Sequence, residues 1–107
     1  MGNHYHLTKE AEADIEKILA RTQDRWGTAQ MYKYAESLDS CLNDIGEGKI
    51  VQRAFTPKLP GLLVKRCEKH FVFYFKKEKE PAVILNVLHE RMDLMKRMSK
   101  RLKEYSQ

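Results

Sequence analysis

The chain has 107 residues, 42% of them hydrophobic and 33% charged, with a net charge of +5. That suffices for one domain with a modest core, is too short for two, and is too apolar for a disordered chain. No stretch approaches the apolar length needed to span a bilayer, and the N-terminus lacks the basic start and apolar run of a signal peptide. Met1-Gly2-Asn3 opens like a myristoylation signal, but His6 stands where Ser or Thr is required. A cytoplasmic location is therefore expected. The charge is uneven: residues 1–53 hold seven basic against nine acidic side chains, and residues 54–107 hold thirteen against six. The basic half is the expected contact for an acidic partner.

In chain order, "HYHL" at His4 to Leu7 alternates as a strand does, and Thr8 offers an oxygen to cap a helix. Glu10, Glu12 and Asp14 suit the positive end of that helix. Ala11, Ile15, Ile18, Leu19 and Thr22 follow the helical period, and Gly27 after Trp26 is placed to stop it. A second helix is read from Met31, Tyr34, Leu38, Cys41, Leu42 and Ile45, ending at Gly46 and Gly48. The short join around Gly27 and Thr28 makes the two an antiparallel hairpin.

After a loop with Pro57 and Pro60, "LLVKRC" reads as a strand, Glu68 and Lys69 as a tight turn, and "HFVFYF" as a stronger strand. "KKEKE" with Pro81 makes the next turn, and "AVILNVLH", apolar on both faces, reads as a central strand. Asp93 then caps a last helix whose stripe is Leu94, Met95, Met98 and Leu102, beside Lys96, Arg97, Lys100, Arg101 and Lys103. A basic helix of this kind can dock on its own sheet, lie on nucleic acid or fold on a partner; docking is the ordinary case. The fold class is α+β: an N-terminal strand, an antiparallel helical hairpin packed on a small antiparallel sheet, and a C-terminal basic helix, in one domain over residues 1–107.

Cys41 and Cys67 have no CxxC spacing and no His partner at metal spacing, so they read as reduced, buried small hydrophobes. His4 and His6 share one side of a strand, but no third ligand is suggested, so they read as histidines on an edge strand. No metal or cofactor is expected. Lys65, Arg66, Lys69, His70, Lys76 and Lys77 flank the aromatic Phe71, Phe73, Tyr74 and Phe75, a mixture that could stack bases; strand alternation instead sends about half of such rings into a core. His89, Glu90 and Arg91 could do acid/base work on a phosphate, yet alternation puts Glu90 on the face opposite His89 and Arg91, so no catalytic set is expected.

The chain resembles the ParE toxins of the RelE/ParE superfamily, along "LTKEAEADIEKI", "RWGTAQMYKYAESL", "LPGLLVKRCEKHFVFYF" and "ILNVLHERMDL". The last is the most specific, because such chains commonly close their final strand with His-x-Arg-Met-Asp, here His89, Arg91, Met92 and Asp93. The resemblance implies the toxin of a bacterial type II toxin–antitoxin pair that stabilises the cleaved complex of DNA gyrase with DNA. It also implies a ParD-like antitoxin whose C-terminal segment wraps the toxin, a helix over the hairpin and an extended part along the sheet. The alternative it leaves open is a RelE-like ribosome-dependent mRNA endonuclease, although Lys65, Arg66, Lys76, Arg91 and Tyr105 match no nuclease motif. For the polar surface met by target or antitoxin, the expected residues are His89, Arg91, Lys65, Arg66 and Lys76. For the antitoxin helix they are Trp26, Met31 and Tyr34.

Overall fold

The structure, a computed structural model, describes residues 4–105, with side chains through Lys103. Its elements are β1 (Tyr5–Leu7), α1 (Lys9–Trp26), α2 (Thr28–Glu47), β2 (Ala54–Thr56), β3 (Leu59–Cys67), β4 (His70–Phe75), β5 (Ala82–His89) and α3 (Leu94–Tyr105). The strands form one sheet in the order β1-β5-β4-β3-β2.

That sheet is mixed, which corrects the expectation of an antiparallel one. β1 pairs parallel with β5, Tyr5 opposite Ala82 and Leu7 opposite Ile84, while β2 to β5 pair antiparallel. The intervening helical hairpin gives the chain the long connection that a parallel pairing needs. β2 is a second departure, since Ala54 to Thr56 read as loop but pair with Leu63 and Leu59. Three residues are too few to show alternation. Pro60 sits in β3 before its first pairing with β4, at Leu63, so its missing N–H costs that ladder nothing.

Thr8 caps α1 as expected, accepting from the Ala11 N–H at 3.1 Å, and its hydroxyl also reaches the carbonyls of Ile84 and Leu85. The cap thereby ties α1 to β5. Gly27, at a φ of 92°, ends α1 and begins α2 in a conformation that a side chain would disfavour. Gly48 ends α2 in the left-handed region, whereas Gly46 lies inside the helix. A Cβ on Gly46 would come within 2.6 Å of the His4 Cβ and carbonyl oxygen, so the glycine is there for close approach to the segment entering β1, not to end the helix.

The hairpin covers one face of the sheet with Ala11, Leu38, Leu42 and Ile45 against Leu63, Cys67, Val72, Tyr74, Ala82, Ile84 and Val87. α3 covers the other face. There Met98 is buried with Leu62, Phe73, Leu85 and Leu88, flanked by Leu94 and Leu102. The terminal helix thus docks on its own sheet, capped by Asp93, whose carboxylate accepts from the Lys96 N–H. Arg101 reaches Glu10 of α1 at 3.0 Å. Met95, expected in the stripe, is 52% exposed, because Leu94, Met98 and Leu102 already form an i, i+4 row facing the sheet.

The two cysteines are not reduced. Cys41 of α2 and Cys67 of β3 form a disulfide with Cα atoms 6.2 Å apart, inside the usual span for such a bond. They come from different elements 26 positions apart, and no local spacing announces such a pair.

Asp14 is a structural residue that the sequence did not distinguish from its neighbours. Beyond Leu7 no strand among the described residues lies beside the outer edge of β5, and the ladder with β4 is irregular, Phe73 facing Asn86 and Tyr74 facing Ile84. One Asp14 carboxylate oxygen accepts from the Val87 N–H at 3.0 Å and from the Asn86 amide at 2.9 Å, which covers this edge. Asp14→Ala leaves that buried backbone donor without its acceptor and is expected to cost about 1–3 kcal/mol, read from urea denaturation.

Candidate functional site

The polar side chains gather where the β3–β4 turn and the end of β5 meet α2. The two-residue turn at Glu68 and Lys69 sets Cys67 opposite His70, and His70 in turn opposes His89. These three project toward the hairpin. The His70 and His89 rings meet edge to face at a centroid distance of 5.1 Å, and Tyr34 of α2 shares a 2.5 Å hydrogen bond with His70 Nδ1. His89 Nδ1 accepts from the Arg91 backbone N–H at 3.1 Å, which folds the chain back at the end of β5.

Burial and the neighbouring His89 push His70 down to about 4, while Glu90 acts weakly the other way. Burial, with the Glu68 carboxylate nearby, lifts the Tyr34 hydroxyl to about 12. Both groups are therefore neutral near pH 7. Neither is matched to proton transfer at that pH, since a base of such low pKa is weak and an acid of such high pKa is reluctant. Their bond is an anchor between α2 and β4.

The anchor carries a pH dependence. Above pH 6.5, the ordinary value, His70 is neutral folded and unfolded, and its contribution to stability is complete. Between 6.5 and about 4 the unfolded chain takes up a proton that the folded one refuses, so stability falls as pH falls. Allowing for solvent screening, the loss is expected to be about 1–2 kcal/mol. The difference between wild type and His70→Gln in urea unfolding, followed from pH 7 to pH 4, isolates this contribution from that of the carboxylates.

On the opposite face Arg66 pairs with Glu90 at 2.5 Å, donates through Nε to the Glu68 carbonyl at 3.0 Å, and lies over the Phe71 ring. Arg66 is thus held on the side away from His89. Lys65 lies on the hairpin side, beside an open cleft between α2 and β3. Lys76 sits at the other end of β4, its ammonium donating to the carbonyls of Lys77 and Glu80. Arg91 is exposed in the turn after β5. The five polar residues expected to form one surface are spread over two faces and two ends of the sheet. His89 and the Arg91 backbone remain together, Lys65 shares the His89 face of the sheet, and Arg66 and Lys76 do not join them.

The three hairpin residues are likewise uneven. Trp26 is 71% exposed at the end of α1, Met31 is half-buried in the first turn of α2, and Tyr34 turns its hydroxyl inward to His70. Tyr34 and His89 were expected separately, on the hairpin and on the polar surface, and nothing in the sequence pointed to their meeting through His70. It depends on the β4–β5 register, which the irregularity at Phe73 and Tyr74 shifts and which strand patterns do not encode. Among the described residues no three His, Cys, Asp or Glu side chains are grouped to hold a metal ion, and no helix is long and apolar enough to cross a membrane.

Comparison with known proteins agrees with this architecture. The family profile described as the ParE toxin of the type II toxin–antitoxin system, parDE, matches residues 5–94. Toxin ParE of Escherichia coli is 40% identical over 99 residues, which is 92% of this chain and 96% of that protein. Toxin ParE1 of Mycobacterium tuberculosis is 30% identical over 94 residues, 88% and 96% of the two chains. Among solved structures, a chain of the chromosomal ParDE system from P. aeruginosa superposes with a TM-score of 0.65 at 18% identity, over 79% of this chain and 92% of that one. One from the RelBE2 toxin–antitoxin complex of M. tuberculosis gives a TM-score of 0.58 at 18% identity, over 84% and 100%. At such identity these two speak for the fold.

Proposed function

We propose, from the premise that this chain belongs to the ParE toxin family of type II toxin–antitoxin systems, that it inhibits DNA gyrase by stabilising the enzyme's cleaved complex with DNA. It acts in the cytoplasm as one toxin domain and binds its target without catalysing a reaction of its own. The observation that carries the non-catalytic part is the dispersal of the polar residues. An mRNA endonuclease would need His89 to move a proton beside a phosphate held by Arg91 with Arg66 or Lys65. Arg66 instead faces away from His89 and is committed to Glu90 and the Glu68 carbonyl. His89 Nδ1 is occupied by the Arg91 N–H, so when neutral it carries its proton on Nε2.

The silencing partner in this reading is a ParD-like antitoxin with an acidic C-terminal segment. Its helix lies on the hairpin over Trp26 and Met31, and its extended part meets the His89, Arg91 and Lys65 side. The chain's net charge of +5 favours an acidic partner, and a tryptophan 71% exposed at the hairpin end is a ready anchor. Trp26→Ala is expected to weaken antitoxin binding by roughly 30-fold or more while leaving the unfolding midpoint within error, because the ring contributes little to the core. Calorimetric titration with the antitoxin segment, beside a urea curve, checks both halves.

The test of the reading is a supercoiling assay with purified gyrase, relaxed plasmid, ATP and this protein. Cleaved DNA should accumulate as protein is added, and single changes at Arg91, His89 or Lys65 should each weaken the effect gradually, by about 10-fold or less. No effect on an active gyrase, with mRNA cut in a translating ribosome extract and that cutting abolished by one polar substitution, would establish the endonuclease instead.

A further inference from the structure

The disulfide lies at the edge of a cleft of about 630 Å³ between α2 and β3, walled by Lys33, Glu36, Ser37, Asp44, Lys65 and Glu68. Its two cysteines are not equivalently placed. Cys41 lines the cleft and is half-buried, whereas Cys67 stands behind it, 4% exposed in the sheet's hairpin-side core. A thiolate attacks a disulfide at the sulfur it can reach and expels the other.

We propose that Cys41–Cys67 is a reversible thiol–disulfide site at which a small thiol of the glutathione class enters this cleft and reacts at Cys41. The incoming thiolate forms a bond to Cys41 Sγ as the Cys41–Cys67 bond breaks. The electron pair leaves on Cys67 Sγ, which takes a proton from solvent. A second thiolate then attacks the small molecule's own sulfur and releases the Cys41 thiolate. Two thiols are oxidised to one disulfide, and the protein's disulfide is reduced to two thiols. The reverse sequence, beginning from the small disulfide and Cys41, closes the bond again.

Three observations carry this. The cleft walls mix Lys33 and Lys65 with Glu36, Asp44 and Glu68, a set of both signs suited to a zwitterionic thiol bearing carboxylates and an ammonium. Leu38, Leu42 and Ile45 of α2 pack on the sheet beside the bond, where the cysteine Cα atoms lie 6.2 Å apart, so an opened pair has packing that keeps its two elements adjacent while it re-forms. The bond is also the one disulfide between the helical layer and the sheet among the described residues, two helical turns along α2 from the Tyr34 anchor to His70. Its reduction leaves the β3 side of α2 held by packing alone. In the cytoplasm, the compartment of the proposed function on which this step rests, a disulfide is typically of this transient, switching kind rather than a permanent staple. The chemistry itself does not depend on which target the protein has.

The test equilibrates the purified protein in mixtures of reduced and oxidised glutathione, quenches with an alkylating reagent, and reads the state of each cysteine by peptide mass spectrometry. The pair should pass reversibly from oxidised to reduced across the mixtures. Brief exposure of the reduced protein to oxidised glutathione should place the mixed disulfide on Cys41, and Cys67→Ser should accept glutathione at Cys41 at least 10-fold faster than Cys41→Ser does at Cys67. If either serine variant fails to fold, the peptide map of the wild-type mixed disulfide decides the same point. Hydrogen exchange at the α2 amides from Tyr34 to Ile45 should be at least 10-fold faster in the reduced form. A pair that stays oxidised in excess reduced glutathione, glutathione found on Cys67, or α2 exchange that ignores the redox state would overturn the proposal.

Discussion

Reducing Cys41–Cys67 is expected to lower the folding free energy by about 3–4 kcal/mol, the loop-closure entropy released when a cross-link over 26 positions is opened. That is a large share of the roughly 5–15 kcal/mol that holds a domain of this size together. The reason it matters here lies in how α2 meets the sheet. At one end Gly46 is pressed against His4, and near the other Tyr34 bonds His70. Between them α2 buries only Leu38, Leu42 and Ile45. Urea unfolding with and without a dithiol reductant should show the midpoint falling by about 1 M or more in the reduced protein. The Cys41→Ser, Cys67→Ser double variant should fall with it and be indifferent to the reductant. Equal midpoints in both conditions would mean that packing alone sets the position of α2.

That bond also marks where reading the sequence stops. The hairpin was legible because its apolar residues repeat at threes and fours over two long stretches, and Gly27 separates them with a backbone angle that other residues resist. The β3–β4 turn was legible from two charged residues between apolar runs, and Asp93 from its place before a helical stripe. What escaped depends on partners distant in the chain. Nothing local says that Tyr5 to Leu7 will run parallel to Ala82 to Ile84, that Asp14 will cover the Val87 N–H, or that Cys41 will face Cys67. The candidate surface divides for the same reason. His89 and Arg91 are neighbours in sequence and stayed together, whereas Arg66 and Lys65 are adjacent in a strand and were sent to opposite faces. The family resemblance gave the architecture that these long-range pairings complete.

Phe73→Ala is expected to be among the most damaging single substitutions, costing about 3–5 kcal/mol. Phe73 is 0% exposed at the centre of the face that α3 covers, and Phe55 of β2 meets its ring edge-on at 4.9 Å. Removing the ring therefore loosens three elements at once: β4 itself, the short edge strand β2 that leans on it, and α3, whose Met98 belongs to the same cluster. Phe73→Leu, which keeps most of the volume, should cost closer to about 1–1.5 kcal/mol. Guanidinium unfolding of both variants, followed by circular dichroism, separates a cavity from a local repacking. A cost under about 1 kcal/mol for Phe73→Ala would mean that α3 collapses into the space and that its docking is more adaptable than the buried cluster implies. The same measurement bears on the aromatic run in β4. Phe73 belongs to the α3-side cluster and Tyr74 to the hairpin-side core, while Phe71 and Phe75 are partly buried against the α3-side cluster, so the rings that could have stacked nucleic-acid bases serve largely to pack the two layers that hold the sheet.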